Sequence, residues 1–391
     1  MEGAKRLAVT GAEAVAHAMR QIAPDVVAAY PITPQTPIVE YFAKFVADGL
    51  VDTEMIPVES EHSAMSAVVG AAAAGARAMT ATSANGLALM HEIVYIAASM
   101  RLPIVMPVVN RALSGPINIH CDHSDTMAER DSGWMQFFAE NAQEAYDLTF
   151  IGLKLAEHPD VQLPVMINQD GFIISHGVEP VEMLPDDVVK SFVGERKPVF
   201  SLLDVDHPVT FGPLDLYDYY FEHKRQQIAA MEKAYEVFPT IAEEFEKISG
   251  RRYAYVEPYR LDDADHVMIA LGSTCGTIKD VVDELREEGK KVGLLKLWMF
   301  RPFPKEQIQR YLYGRKSVVV LDRSASFGAE PPLYAEIKSA LYEAPAKPLI
   351  GSYIYGLGGR EILPQHIRHA FETAIKGDLL ADEQGYLGLR E

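Results

Sequence analysis

The sequence predicts an α/β protein made of two doubly wound parallel-sheet domains. Short apolar runs alternate with helical stretches over the first 180 residues, and the same alternation starts again near residue 265. Apolar strands separated by helices are typical of a parallel sheet that helices cover on both faces. The length of 391 residues also exceeds that of a typical single domain.

The first domain is predicted at residues 1–184, where an opening helix, "EAVAHAMRQI", precedes the first apolar strand. The elements that follow are strand "DVVAAY" and helix "PIVEYFAKFVADG", strand "EMIPVES" and helix "EHSAMSAVVGAAAAG", strand "ARAMTATS" and helix "NGLALMHEIVYIAASM", strand "PIVMPVVN" and helix "ENAQEAYDLTFIGLKLAEHP", and strand "LPVMINQD". This order predicts a doubly wound sheet.

Residues 185–260 differ in composition, and we interpret them as a linker or arm. An irregular stretch rich in proline and aspartate leads into one long, highly charged helix near 219–250. A helix of this composition is usually a solvated connecting element.

The second, smaller domain is predicted at residues 261–391. Its strands "HVMIALGS", "KVGLLKLWMF", "SVVVLDR" and "PLIGSYIYGLGG" alternate with the helices "TCGTIKDVVDELREEGK", "PKEQIQRYL", "PPLYAEIKSALYE" and "LPQHIRHAFETAIKG".

Composition excludes several classes of function. The net charge of −19 disfavours binding to nucleic acid and to anionic membranes, and no apolar run reaches the about 18–20 residues of a membrane span. Cys121 and Cys275 are the only cysteines, so four thiolates for an iron–sulfur cluster cannot come from this chain alone. The start "MEGAKRLAVTG" does not read as a signal peptide, and we expect a cytoplasmic protein.

Unusual residues gather in the loops that follow the predicted strands of the first domain. "YPITPQT" spans residues 30–36, and its prolines fix φ, which predicts a stiff loop at the ligand-binding edge of the sheet. Thr33, between two prolines, offers a hydroxyl in a preset geometry. Taken alone, Thr33 is better explained as a turn residue.

Glu59, Glu61 and Arg111 are the charged candidates at this edge. Both glutamates lie where a buried strand becomes an alanine-rich helix, so either could cap the helix or bind the protonated nitrogen of a heterocycle. Arg111 directly follows the strand "VMPVVN". It could pair with a carboxylate of the fold or bind an anionic ligand through two hydrogen bonds.

Two further stretches remain ambiguous. "HCDHSD" contains the metal-ligand types His120, Cys121, Asp122, His123 and Asp125, but without a regular period, which favours a mobile or interface loop over a metal site. "TSANGL" at 82–87, with Ser83 and Asn85, could hold an anion on backbone amides where a helix starts, as could "GSTCG" at 272–276. Neither is a nucleotide fingerprint.

Taken together, the motifs resemble the α subunit of the 2-oxoacid:ferredoxin oxidoreductases, above all the pyruvate:ferredoxin type. The stretches that carry the resemblance are "AAYPITPQTPIVEYFAKF", "IPVESEHSAMSAVVGAAAAGARAMTATSANGLALMHE", "LPIVMPVVNRAL", "RDSGWMQFFAENAQEAYD", "KLWMFRPFPKE", "VVLDRSASFG" and "YGLGGRE". The resemblance covers most of the chain. It implies a first domain like the pyrimidine-binding half of a thiamine diphosphate site and a second domain like the C-terminal domain of transketolase.

The resemblance also implies an activity and the residues that carry it. The family decarboxylates a 2-oxoacid on thiamine diphosphate, passes two electrons to ferredoxin through iron–sulfur clusters and releases an acyl-CoA, reversibly. Glu61 matches the residue that shares a proton with the pyrimidine ring, and Thr33 and Arg111 match the residues that hold the 2-oxoacid. Pro31, Ile32, Ser83 and Asn85 are the further residues expected beside the cofactor.

The same comparison implies that the chain holds only half of an active site. The "GDG" motif of the diphosphate and Mg²⁺ half is absent, and "NQDGF" at 168–172 is the nearest string. We therefore expect a β subunit with the diphosphate pocket and a 4Fe-4S cluster, together with γ and δ subunits, and no resident metal on this chain. Thr33 disfavours an oxalate enzyme. A branched-chain or aryl 2-oxoacid as substrate, a non-catalytic scaffold and a self-sufficient nucleotide-binding enzyme remain the alternatives.

Overall fold

Two helix-covered sheets form the body of the chain, in agreement with the predicted fold class. A computed structural model describes residues 5–379 and 385–390. The elements run in chain order through β1 (Lys5–Thr10), α1 (Gly11–Ile22), β2 (Val26–Ala29), α2 (Thr36–Ala47), β3 (Glu54–Pro57), α3 (Glu61–Ala73), β4 (Ala78–Met79), α4 (Ala84–Ser99), β5 (Val105–Asn110), α5 (Ser124–Ala128), β6 (Met135–Phe138), α6 (Ala142–Ala156), β7 (Val165–Asp170), β8 (Val178–Met183), α7 (Asp186–Val193), α8 (Tyr220–Ser249), β9 (Val256–Tyr259), β10 (His266–Ala270), α9 (Thr274–Glu287), β11 (Val292–Leu297), β12 (Met299–Arg301), α10 (Lys305–Leu312), β13 (Ser317–Asp322), α11 (Pro332–Leu341), β14 (Leu349–Tyr355), α12 (Pro364–Lys376) and β15 (Gly385–Leu387).

The first sheet has the strand order β12-β6-β7-β5-β4-β2-β3, and all of its neighbours are parallel except the edge strand β12. The position of strand β5 within this sheet explains its apolar sequence. Val105 and Val109 point into one hydrophobic core, while Met106 and Val108 point into the core on the opposite face. Both faces are therefore covered, as the continuous apolar run predicts.

The second sheet has the order β15-β14-β13-β10-β11-β9, with β9 antiparallel at one edge and the other neighbours parallel. Val318 and Val320 of β13 pack into one core and Val319 into the other. Strands β1 and β8 form a separate antiparallel pair that the sequence analysis does not identify.

Two stretches fold differently from their sequence-based interpretation. The predicted single strand "KVGLLKLWMF" divides at Trp298, because β11 belongs to the second sheet and β12 pairs with β6 in the first. The charged helix α8 is exposed or partly exposed at every position before Ala230, and from Ala230 onward it is exposed on one face and buried on the other. The buried face is a stripe made of Ala230, Ala234, Phe238, Ile241, Ala242, Phe245 and Ser249, and its apolar members belong to the first core.

The domain limits at 184 and 260 stay a prediction. Residues outside 1–184 nevertheless contribute to the first domain. Helix α8 packs in its core, and β12, which lies beyond residue 260, pairs with its sheet. No helix in the described part of the chain combines the length and the apolarity that crossing a membrane requires.

Candidate active site

The candidate residues lie where strands of the first sheet end, in the loops after β2, β3, β4 and β5. Because these strands are parallel, their carboxyl ends meet at one edge of the sheet. The loop from β5 to α5 covers residues 111–123 and contains most of the stretch that was considered as a metal site.

Arg111 and Thr33 are in direct contact at this edge. The Nη1 atom of Arg111 donates a hydrogen bond of 2.8 Å to the backbone carbonyl of Thr33, and its Nε donates one of 2.8 Å to the carbonyl of Asn118. The arginine is 7% exposed, whereas Thr33 is exposed. No described residue pairs with the Thr33 hydroxyl or with the second terminal nitrogen of Arg111, so both are available to a ligand.

The loop after β2 is as compact as its prolines predict. The Ile32 carbonyl accepts the amides of Gln35 at 2.7 Å and Thr36 at 3.1 Å, which leads the chain into α2. Pro34 is buried, and a Cβ atom on Gly171 would come within 2.9 Å of its ring. A glycine at position 171 therefore lets the proline loop sit tightly against the end of β7, while Pro31 is exposed.

Glu61 occupies the first turn of α3 and is 7% exposed. It lies against the first turn of α4, because a Cβ atom on Gly86 would come within 2.7 Å of the Glu61 Oε1 atom and 2.6 Å of the Thr82 hydroxyl. The Thr82 hydroxyl is buried and has no hydrogen-bond partner. In the described part of the chain no side chain pairs with the Glu61 carboxylate either.

Glu59 differs from Glu61 in both its exposure and its hydrogen-bond partner. It is exposed and accepts a hydrogen bond of 2.6 Å from the Ser63 hydroxyl, which lowers its pKa. Ser60 caps α3 by accepting the Ser63 amide at 3.2 Å. Ser60 therefore caps the start of α3, Glu59 bonds to a side chain of its first turn, and Glu61 is left without a partner among the described side chains.

Ser83 and Asn85 lie at the start of α4, but their side chains have partners within the protein. The buried Ser83 hydroxyl donates to the Val109 carbonyl at 2.6 Å. The Asn85 side-chain oxygen accepts from the amide and the hydroxyl of Ser114, at 3.1 and 2.9 Å. A cofactor role for these two residues stays a prediction.

Asp125, which is 1% exposed, binds backbone amides, although the sequence pattern groups it with possible metal ligands. Its carboxylate accepts the amides of Ala84 and Arg111, each at 3.0 Å. Burial raises its pKa to about 6, although the hydrogen bonds oppose that shift. Asp125 therefore connects α4, which lies against Glu61, to the end of β5, which carries Arg111.

The rest of the "HCDHSD" stretch contacts the second domain and the segment after β7, and of its possible metal ligands Cys121 and His123 lie close together, beside Asp170. Asp122 accepts the Gly358 amide at 3.1 Å, and Cys121 accepts the Gly359 amide on its carbonyl at 2.7 Å. The His120 ring packs on Phe172, with 5.1 Å between ring centroids. This geometry is that of an interface loop, which the sequence analysis favoured.

Asp170, at the end of β7, joins the two sheets. His123 contacts one of its oxygens at 2.8 Å, and Arg323 donates to the other at 2.9 Å. Burial alone would raise the pKa of Asp170, but the imidazole and the guanidinium outweigh it and hold the pKa below its usual range. Cys121, His123 and Asp170 are close enough to hold a metal ion, but the negative charge of Asp170 is already balanced by Arg323.

A second group of possible metal ligands consists of three carboxylates, those of Glu140, Glu144 and Glu257. They surround the fully buried Lys296. Lys279 contacts two of these carboxylates as well, at 2.9 and 3.0 Å. Two lysines supply the positive charge that a metal ion would otherwise bring, so this cluster is a buried ion network that ties α6 to the second domain.

Comparison with known proteins agrees with this architecture. Residues 17–243 match the family described as pyruvate flavodoxin/ferredoxin oxidoreductase, thiamine diP-bdg, and residues 264–367 match core domain II of pyruvate:ferredoxin oxidoreductase. The two matches define the class, that of 2-oxoacid oxidoreductase subunits.

Relatives narrow the class further. The chain is 78% identical over 387 residues to pyruvate synthase subunit PorA of Thermotoga maritima, covering 99% of both chains. It is 46% identical over 369 residues to ketoisovalerate oxidoreductase subunit VorA of Pyrococcus horikoshii, covering 94% of this chain and 93% of the other. The chain therefore belongs to the pyruvate:ferredoxin oxidoreductase family, and the prediction made from its motifs is confirmed.

A solved structure shows a similar fold. The chain aligns with 2-oxoglutarate:ferredoxin oxidoreductase from Magnetococcus marinus with a TM-score of 0.72 and 21% identity, over 95% of this chain and 65% of that one.

The residues present fit half of a thiamine diphosphate site. A buried carboxylate without a partner, beside the unpaired Thr82 hydroxyl, suits the ring nitrogen and amino group of a pyrimidine. The two groups of possible metal ligands among the described residues already hold an arginine and two lysines, so neither suits the Mg²⁺ that accompanies a diphosphate.

Proposed function

We propose that this chain is the α subunit of a thiamine diphosphate-dependent pyruvate synthase. The complex would convert pyruvate and coenzyme A to acetyl-CoA and CO₂ and pass two electrons to ferredoxin, reversibly. One observation carries the proposal. Arg111 and Thr33 are hydrogen-bonded to each other at the sheet edge that also holds the buried, unpaired Glu61.

Each of the three residues has a distinct task in this proposal. Arg111 binds the carboxylate of the 2-oxoacid through its free terminal nitrogen, because guanidinium and carboxylate form strong charge-assisted hydrogen bonds. Thr33 donates its hydroxyl to the 2-oxo group. Glu61 holds a proton between its carboxylate and the pyrimidine nitrogen, and bound thiamine diphosphate supplies the carbanion chemistry.

The neighbouring residues bind and orient. Pro31 and Ile32 would place the backbone of the proline loop beside the cofactor ring, since a loop that is already rigid loses little entropy when it binds. Ser83 would hold the start of α4 through its bond to Val109, and Asn85 would hold the Ser114 segment near the entrance.

The remaining parts of the site are assigned to other subunits. A β subunit would bring the diphosphate pocket, Mg²⁺ and a 4Fe-4S cluster, and γ and δ subunits would carry electrons onward to ferredoxin in the cytoplasm. This assignment is supported by the two buried cysteines, which are too few for a cluster. The structural relative is described with coenzyme A bound, which supports coenzyme A as the acyl acceptor.

An exposed apolar arm supports assembly with other subunits. Residues 199–221 hold many exposed large hydrophobic side chains and no lysine or arginine. These side chains are Val199, Phe200, Leu202, Leu203, Val205, Leu214, Leu216, Tyr217, Tyr219, Tyr220 and Phe221. Exposed apolar side chains gathered in one segment are typical of protein–protein interfaces.

A branched-chain 2-oxoacid is the second candidate substrate, because a relative named for ketoisovalerate is 46% identical over nearly the whole chain. A substrate panel on the natively purified complex decides between them. Pyruvate, 2-oxoisovalerate, 2-oxoglutarate and phenylglyoxylate are each supplied with coenzyme A, and viologen reduction is followed. We expect a strong preference for pyruvate. Preference for a bulky acid would move the assignment to that acid, and no reduction with any of the four would favour a scaffold.

A further inference from the structure

Asp125 gathers an unusual number of hydrogen bonds on one carboxylate. Its Oδ2 accepts the backbone amides of Ala84 and Arg111, both at 3.0 Å. Its Oδ1 accepts the side-chain amide of Asn110 at 3.0 Å and the backbone amide of Thr126 at 2.7 Å. A carboxylate that is 1% exposed and accepts four N–H groups is fixed in position by all of them.

The two amides on Oδ2 come from segments that are remote in the sequence. Ala84 begins α4 in a left-handed backbone conformation, with φ at 43°, which is strained for an alanine. Arg111 is the first residue after β5. The Oδ2 atom therefore bridges the start of α4 and the arginine, beside the bond from the Ser83 hydroxyl to the Val109 carbonyl, and it stabilises the strained residue.

Both segments lead directly to the groups of the proposed site. Two residues beyond Ala84, Gly86 forms the wall against the Glu61 carboxylate. The side chain of Arg111 extends from the anchored amide to the Thr33 carbonyl. A shift of either segment would separate the wall beside Glu61 from the guanidinium.

We propose that Asp125 is a positioning residue that fixes Arg111 relative to the start of α4, and so sets how well the site binds its 2-oxoacid. The inference rests on the proposed role of Arg111 in substrate binding. Asp125 touches neither substrate nor cofactor in this scheme. It acts through two backbone amides, and its effect is therefore a matter of geometry.

The test uses Asp125→Asn in the assembled complex. The asparagine side chain has the same shape, but an NH₂ group replaces one of the two carboxylate oxygens. Because this group cannot accept a hydrogen bond, the N–H donors that bonded to the replaced oxygen lose their partner. We expect the KM for pyruvate to rise about 10- to 100-fold, because a misplacement near 1 Å has effects of that size. The KM for coenzyme A should stay within about twofold, as it would for a change confined to one ligand's site.

Amide hydrogen exchange supplies a readout that does not depend on activity. Peptides that contain residues 84–87 and 111–113 should exchange faster in Asp125→Asn than in the wild type. Unchanged exchange in both would overturn the inference, whatever the substrate proves to be. Faster exchange with no turnover of any 2-oxoacid by the wild type would instead reject the proposed function and leave the structural coupling intact.

Asp322→Asn is the matched control. Asp322 is 2% exposed and accepts the amides of Leu333 and Tyr334 at 2.8 and 3.0 Å, where α11 begins. Loss of this carboxylate should lower the melting temperature and leave both KM values unchanged. If Asp125→Asn behaves in the same way, its role is structural only and the inference is wrong.

A double-mutant cycle separates positioning from direct contact. In an Arg111→Ala background, Asp125→Asn should add less than about twofold to the KM for pyruvate, because it acts through the missing guanidinium. A full multiplicative effect would overturn the inference.

Should Asp125→Asn fail to assemble, Asp125→Glu keeps the charge and displaces it by one methylene. The same selective rise in the KM for pyruvate is expected there, and its absence would count against the inference.

Discussion

The guanidinium of Arg111 donates a hydrogen bond of 2.8 Å to the backbone carbonyl of Thr33, across 78 residues of sequence. The contact joins the loop after β2 to the end of β5 at the carboxyl edge of the first sheet. It also commits one terminal nitrogen of the arginine and leaves the other free. In the proposed mechanism this free nitrogen is the one that would bind the substrate carboxylate.

The first prediction concerns the guanidinium itself. Arg111→Ala should raise the KM for the 2-oxoacid about 30- to 150-fold, equivalent to about 2–3 kcal/mol, since this is the range for a hydrogen bond to a charged group. The KM for coenzyme A should change much less. Arg368→Ala is the control, because Arg368 pairs with Glu284 and Glu288 on the surface of the second domain. An equal rise in both KM values for Arg111→Ala would reject the carboxylate clamp.

The second prediction separates the two glutamates of "ESE". Glu61→Gln should assemble normally and reduce turnover about 10²- to 10⁴-fold, because a positioned acid–base group contributes that much. Glu59→Gln should keep turnover near the wild-type rate, since Glu59 is exposed and bonds only to the start of its own helix, through Ser63. Steady-state rates of the two purified complexes test this. Near-normal turnover of Glu61→Gln would remove Glu61 from the chemistry.

The third prediction uses two glycines in neighbouring helices. An alanine at Gly86 would place its Cβ 2.7 Å from the Glu61 Oε1 atom, whereas an alanine at Gly70 on α3 would meet nothing within 4 Å. Gly70→Ala should stabilise the chain by about 0.5–1 kcal/mol, the usual gain for a helix interior. Gly86→Ala should lower turnover about tenfold by displacing the carboxylate. Equal turnover in both variants would show that the wall beside Glu61 is not critical.

Much of the fold could be predicted because burial on both faces leaves a clear pattern. The apolar runs of β5 and β7 are buried at every position, and the alternation with helices identifies the parallel sheet. The division of "KVGLLKLWMF" at Trp298 could not be predicted. Both of its halves are buried, in different sheets, and an apolar run carries no mark of where the chain passes between them.

The prediction that α8 is a solvated connecting helix was wrong for its buried face, for a related reason. Charged residues dominate its composition, and its buried stripe includes the small residues Ala230, Ala234 and Ala242. Small side chains contribute little to an apolar pattern, yet they allow close packing against the first core. A search for helical spacing of alanines would have found this face.

For the site, side chains of unusual type in strand-end loops marked Thr33, Glu61 and Arg111 as candidates, and the family resemblance then gave them roles. The structure joins Arg111 to Thr33 and places Glu61 on the same sheet edge, while their functional roles remain proposals. Asp125 was visible only as one of several metal-ligand types. Its partners include the backbone amides of Ala84 and Arg111, which every residue except proline has, so no sequence signal points to the contact.

The last prediction concerns the pH dependence of stability and uses two buried aspartates with opposite shifts. The pKa of Asp170 is held below its usual range, so its carboxylate stabilises the fold above the unfolded value of about 3.9, and that contribution is lost as the pH falls. Burial raises the pKa of Asp322 to about 7, so its contribution is present at low pH and is lost as the pH rises toward 7.

Substitution by asparagine should therefore have opposite pH signatures. Asp170→Asn should cost about 3–5 kcal/mol near pH 7, because it leaves Arg323 and His123 without their shared partner, and its deficit relative to the wild type should shrink toward pH 3. For Asp322→Asn the deficit should instead be larger at pH 5 than at pH 8. Melting temperatures of the full chain across this range provide the measurement. Parallel curves for the two variants would mean that the buried carboxylates do not titrate as their surroundings require.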